Sequence, residues 1–169
     1  IVSEQNRSDA VAVAEFARDK GFAPVFGAYH WDRGLYGRSD DDLKYNNDDA
    51  IAVFEDLLEN DLIPAGYYRR YAEDTIRWLG GEYLGRCDAG RYSIAIDSSG
   101  NVAGCLGHEA AGNLLENDLA TILVEMDHVA IKKCSDASTC NLMCGRAVGS
   151  TLRHPQDVFR TRLTVKPAA

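Results

Sequence analysis

Every cysteine of this chain lies in its second half, and the first 86 residues contain none. Cys87 and Cys105 are spaced C-x17-C, and Cys134, Cys140 and Cys144 follow as C-x5-C-x3-C. A thiolate is a soft, charged ligand. Four of them complete a tetrahedral zinc site or the corners of an iron–sulfur cluster. One-sided placement constrains the fold: segments far apart in sequence must meet at one metal centre, with the rest of the chain as scaffold.

Spacing alone leaves three outcomes open. Zinc sites often use paired C-x2-C knuckles, which are missing here, although C-x3-C at Cys140 and Cys144 falls within the zinc range. An iron–sulfur cluster is larger than one ion, its ligands need not converge on a point, and looser spacing suits it. Free or disulfide-bonded thiols are the third outcome. Five is an odd count, and sparse for a disulfide scaffold in 169 residues. The expectation is therefore a reducing, cytoplasmic setting.

The length suits one ordinary domain or two small ones, with enough chain to bury a core. A net charge of −8 without a basic cluster would repel a nucleic-acid backbone, which argues against DNA or RNA as partner. No apolar run reaches membrane-spanning length, so no membrane partner is expected. The chain opens Ile-Val-Ser without an initiating methionine or an apolar leader, and reads as part of something longer. Asn6-Arg7-Ser8 matches the glycosylation sequon, a short and common pattern.

Apolar periodicity predicts a helix over Asp9–Lys20, capped by Ser8 or Asp9, with Ala10, Val13, Phe16 and Ala17 inward and Gly21 as its stop. Strands at residues 1–4 and 22–29 would flank it as a βαβ unit with parallel pairing. The polar stretch Asp32–Asn47 then leaves the C-terminal end of a strand, where parallel α/β folds commonly place ligand sites, although the acidic run Asp40–Asp42 reads equally as a solvated turn. A second helix runs from Asn47 or Asp48 to Glu59, burying Ile51, Phe54, Leu57 and Leu58. A third runs from Gly66 to Leu79, with a stripe of Tyr67, Tyr68, Tyr71, Ile76 and Trp78 that reads as core. Gly80-Gly81 marks a domain boundary. Residues 92–105 read as a hairpin, with Gly112-Asn113 as a second turn and a helix over Asp118–Ala130. Residues 151–169 read as a loosely ordered tail.

Gly104 and Gly145 adjoin cysteines, where a missing Cβ either lets backbone amides approach sulfur or simply serves a turn. The four histidines are scattered, and His108, three residues past Cys105, is either an added ligand or simply exposed. No Ser–His–Asp order, phosphate loop or dinucleotide fingerprint occurs.

The run from Cys87 to Cys105 resembles the opening of the SPASM and twitch domains, auxiliary iron–sulfur modules at the C-terminus of radical S-adenosylmethionine (SAM) enzymes. The shared pattern is a Cys, a Gly three residues on, an alternating strand, an Asp-x-x-Gly turn at Asp97–Gly100, a second strand and a Cys. Gly112-Asn113-Leu114 followed by Leu119-Ala-Thr-Ile122 resembles that family's next segment, and Cys134, Cys140 and Cys144 resemble the tail of its C-x2-C-x5-C-x3-C motif. Residues 1–81 look like a late part of the radical SAM partial barrel.

The resemblance implies an α/β fold: the end of a partial, TIM-like β/α barrel (1–81), a small hairpin-plus-helix iron–sulfur domain (82–150) and a tail (151–169). It implies one auxiliary [4Fe-4S] cluster, because Ile131 stands where the full motif has its first Cys and five thiols cannot serve two clusters. Cys87, Cys105, Cys140 and Cys144 are the favoured ligands, with Cys134 as a fifth candidate. The family's C-x3-C-x2-C loop is absent, so SAM and a second [4Fe-4S] would bind on a missing N-terminal half. The auxiliary cluster would relay an electron or position a peptide or small-molecule substrate, with His30, Asp32 and Arg33 as candidate substrate contacts. The competing expectation is a non-enzymatic zinc-binding or thiol-rich interaction module.

Overall fold

The computed structural model describes residues 1–30, 41–138 and 140–164, with side chains as far as residue 161. Asp32 and Arg33 lie outside the described residues. Val2 and Ala28 form a parallel bridge: the Val2 N–H donates to the Gly27 carbonyl at 2.8 Å, and the Tyr29 N–H to the Val2 carbonyl at 2.9 Å. Between them runs α1 (Ala10–Asp19), entered through a 3-10 turn at Arg7–Asp9. The strand–helix–strand order is therefore present, but among the described residues its pairing stops at that bridge, and no barrel is displayed. The inward face of α1 also differs from the periodicity reading. Ala10 and Ala14 are buried, while Val13 and Phe16 are 54% and 64% exposed. Alanines at i and i+4 allow close approach to the neighbouring helix, and the bulkier side chains are left outside.

That neighbour is α2 (Asn47–Glu59), capped by Asn46, whose side chain accepts the Asp48 N–H at 2.9 Å. It buries Ala50, Phe54 and Leu57 and pairs with α3 (Tyr67–Leu79). Val2, Ala28, Leu62, Ile63, Ala72 and Leu79 complete this first core.

A second, smaller core follows. Strands β1 (Ala95–Ile96), β2 (Asn101–Ala103) and β3 (Gly112–Asn113) form an antiparallel sheet in that order. Asp97 shapes the hairpin by accepting the Ser99 and Asn101 N–H groups at 2.8 and 2.9 Å. Gly112-Asn113 is not a turn but the third strand. A Cβ on Gly112 would stand 2.9 Å from Ile122 Cγ1, so only glycine lets the strand lie this close to the helix. The single helix expected over Asp118–Ala130 is two: α4 (Leu119–Glu125) and α5 (His128–Ala137). They break because Asp127 turns its side chain to the Ala130 N–H at 2.8 Å and starts a new helix. Val102, Ile122, Met126 and Ile131 form the buried centre.

Residues 151–164 are not a loose tail. Helix α6 (Met143–Arg153) continues into α7 (Pro155–Thr164), and both pack on α3. Gly66, at φ +86°, is the tight point: a Cβ there would meet the Asp157 carbonyl at 2.3 Å. Thr161 Oγ1 accepts the Tyr67 N–H at 3.0 Å, and Arg70 pairs with buried Asp157 at 2.5 Å. The Gly80-Gly81 boundary therefore separates two cores in sequence, while α3 packs against helices that follow it by more than sixty residues.

Candidate metal centre

The five thiols arrive on five pieces of chain. Cys87 sits in the approach to the sheet, Cys105 just past β2, and Cys134 on α5. Cys140 lies in the α5–α6 connection, and Cys144 in the first turn of α6. All five line one cavity, together with His108, Ile131, Leu142 and Gly145. None is disulfide-bonded; four are half-buried and Cys144 is exposed.

Local contacts explain the convergence. The Cys87 N–H donates to the Ser135 carbonyl at 3.2 Å, and the Ser135 hydroxyl returns a bond to the Cys87 carbonyl, stitching the sheet approach to α5. Arg86 and Lys132 both reach Asp136 beside that stitch. The buried Arg146 guanidinium clamps the other side. Its Nη1 donates to the Gly85 carbonyl at 3.1 Å, and its Nη2 to Ser138 Oγ at 2.6 Å and the Cys140 carbonyl at 3.1 Å. Helix α3 supplies the floor. Tyr71 donates to the Asn141 carbonyl at 2.6 Å, Tyr67 to the Met143 carbonyl at 3.2 Å, and Asn141 Nδ2 to Thr75 Oγ1 at 2.9 Å. Burial raises the pKa of both phenols, so each remains an O–H donor at neutral pH.

At the sulfurs, the Gly107 N–H points at Cys105 Sγ at 3.3 Å. Such a bond favours the thiolate, but burial acts more strongly and pushes the Cys105 thiol up. The neighbouring Cys134, Cys140 and Cys87 push in the same direction, as closely gathered potential anions do. The Cys87 thiol donates to the Gly145 carbonyl at 3.6 Å, and a Cβ on Gly145 would stand 3.5 Å from Cys87 Sγ. Gly145 thus lets backbone reach a sulfur, through its carbonyl rather than its amide. Gly104 has another role: a Cβ there would stand 2.5 Å from Ile131 Cδ1. A Cβ on Gly90, at φ +75°, would stand 2.6 Å from Ile131 Cγ2. Ile131 is packed between two glycines and lines one wall of the cavity.

The donor set is soft, numerous and drawn from separate segments, as a polynuclear thiolate site requires. Among the described residues, no three His, Cys, Asp or Glu groups close on a single ion. The free space between the thiols is about 20 Å³, room for about one water, so a cluster would need the side chains to turn outward about χ1.

The other site candidates separate. His108 borders the thiol cavity, whereas His30 does not. His30 is buried in the first core and stacks on Trp78 with ring centroids 4.4 Å apart. Arg146, Ser135 and the phenols of Tyr67 and Tyr71 were not legible as site residues. Their types and spacing fit ordinary helix positions, and only the fold aims them at the cysteine loops. No family model, curated protein or solved structure matches this chain.

Proposed function

We propose that this chain is the auxiliary-cluster portion of a radical SAM enzyme, and that its thiols hold one [4Fe-4S] cluster beside the site of substrate modification. The observation that carries the reading is the gathering of five cysteines, spread over 58 residues, around one cavity. Thiols left over from unrelated local folding would have no reason to meet.

Within this reading Cys87, Cys105, Cys134 and Cys140 enclose the half-buried part of the cage, and exposed Cys144 stands at its edge. The Gly107 N–H holds Cys105 sulfur and withdraws charge from it. Ile131 and Leu142 are apolar neighbours of the sulfurs in the cavity wall. When bound, the cluster supplies one-electron chemistry next to the substrate. SAM and a second [4Fe-4S] would lie on the remainder of the enzyme, because this chain has no C-x3-C-x2-C loop. The substrate class is a peptide or small molecule, and the setting a reducing cytoplasm.

The test is anaerobic reconstitution of wild type and of five single Cys→Ala variants. Wild type turns brown with broad absorption near about 400 nm, the thiolate-to-iron charge transfer of such clusters. Cys105→Ala loses iron and sulfide. Colourless wild type binding one zinc, or Cys105→Ala with a full complement of iron, refutes the reading.

A further inference from the structure

A second cavity, of about 160 Å³, lies between α3 and α6. Its walls carry four guanidinium groups, from Arg70, Arg77, Arg146 and Arg153, against one carboxylate, from Asp74. In a chain with a net charge of −8, a concave surface lined by cations does not follow from composition. Three of the four are held by acids: Arg70 by Asp157, Arg77 by Asp74 and Glu82, and Arg153 by Asp88. Those pairs fix the orientation of the guanidinium groups, and each group carries five N–H donors, more than its pairs use.

Arg146 differs. It is only 7% exposed, and its hydrogen-bond partners are carbonyls and one hydroxyl, with no carboxylate among them. Its Nε is buried and has no hydrogen-bond partner. A buried cation with an unsatisfied N–H is costly to keep. An anion in this cavity would supply a countercharge to Arg146.

We propose that the cavity binds the phosphate group of a small molecule, with Arg146 at its buried end and Arg70 and Arg153 toward solvent. Planar guanidinium forks match phosphate oxygens in pairs. A carboxylate has two oxygens, which one fork satisfies, whereas a phosphate presents three to guanidinium groups arriving from separate directions. The volume is close to the roughly 150 Å³ that accommodates a benzene-sized guest, enough for a phosphate and a few attached atoms. Arg146 belongs to both places, since it also holds the Cys140 carbonyl.

The experiment is calorimetric titration of the full chain with inorganic phosphate and, separately, with malonate. Ser150 lines the cavity and is a neutral position at which to add charge. Wild type binds phosphate at one saturable site, more tightly than malonate. Ser150→Asp weakens phosphate binding by about tenfold or more through like-charge repulsion, with an unchanged circular dichroism spectrum. Should Ser150→Asp fail to fold, Arg77→Ala, at an exposed position, serves instead and weakens binding several-fold. No saturable binding, equal affinity in the variant that folds, or a preference for malonate overturns the proposal.

Discussion

Two glycines one helical turn apart on α6 are predicted to respond oppositely to alanine. Gly145 and Gly149 both lie in the helix, where Gly→Ala contributes up to about 1 kcal/mol of stability through propensity. At Gly145 the new methyl meets Cys87 Sγ and the Ala89 methyl at 3.5 Å, an ordinary contact. At Gly149 it would stand 1.7 Å from Asp88 Oδ2, so the carboxylate must move. Asp88 is 3% exposed and paired with Arg153. Displacing one partner of a fully buried pair costs about 3–5 kcal/mol. Because the Arg153 side chain is 49% exposed, solvent screening reduces that to about 2–3 kcal/mol. After the propensity gain, Gly149→Ala loses about 1–2 kcal/mol, while Gly145→Ala gains up to about 1. The assay is urea unfolding of the reduced, metal-free protein by circular dichroism. With a slope of about 2 kcal/mol/M, the Gly149→Ala midpoint falls by about 0.5–1 M and the Gly145→Ala midpoint rises. Equal upward shifts would refute the packing of Asp88 against α6, and with it the path by which Cys87 is positioned.

Tyr71→Phe removes the buried O–H bond to the Asn141 carbonyl and costs about 1–2 kcal/mol in the same unfolding assay. Alkylation of the Cys140 thiol also becomes faster as its loop loosens, and an unchanged rate would count against α3 as the floor of the cage. Ile131→Ala empties the space between Gly90 and Gly104 and destabilises by about 2–4 kcal/mol. Asp97→Asn flattens the acid limb of stability. The bonds from Asn101 and Ser99 lower the Asp97 pKa in the folded chain, so its contribution is complete above the ordinary carboxylate range and is lost as pH falls through the lowered value. Melting temperatures across that range check it, and identical acid limbs for the two proteins would remove Asp97 as the cause.

Local chemistry was legible where a short stretch determines its own shape. The turn at Asp97–Gly100, the helix over Asn47–Glu59 and the helix that Gly66 opens all have signals within a few residues. Reading failed where a distant partner decides. Gly112-Asn113 carries turn residues yet pairs with β2, because Ile122 requires a neighbour without a Cβ. The apolar run through Ile122 and Met126 conceals a break, because Asp127 caps a new helix in mid-pattern. Val13 and Phe16 have helical spacing yet face outward, because the contact surface uses the smaller Ala10 and Ala14. Residues 151–164 carry weak periodicity, and their order comes from Asp157 and Thr161 meeting α3. At the candidate site the ligand atoms could be named from sequence, since cysteine is rare and its chemistry specific. The clamp of Arg146, Ser135 and Tyr71 could not, since each of those residues makes a deciding contact with a segment 48 to 70 residues away in the chain.

The most direct measurement is the iron and acid-labile sulfide content of the anaerobically reconstituted chain. The account predicts about four of each per chain, with none remaining when Cys87 and Cys105 are both replaced by alanine. One zinc and no sulfide, or iron retained by that double variant, would contradict it.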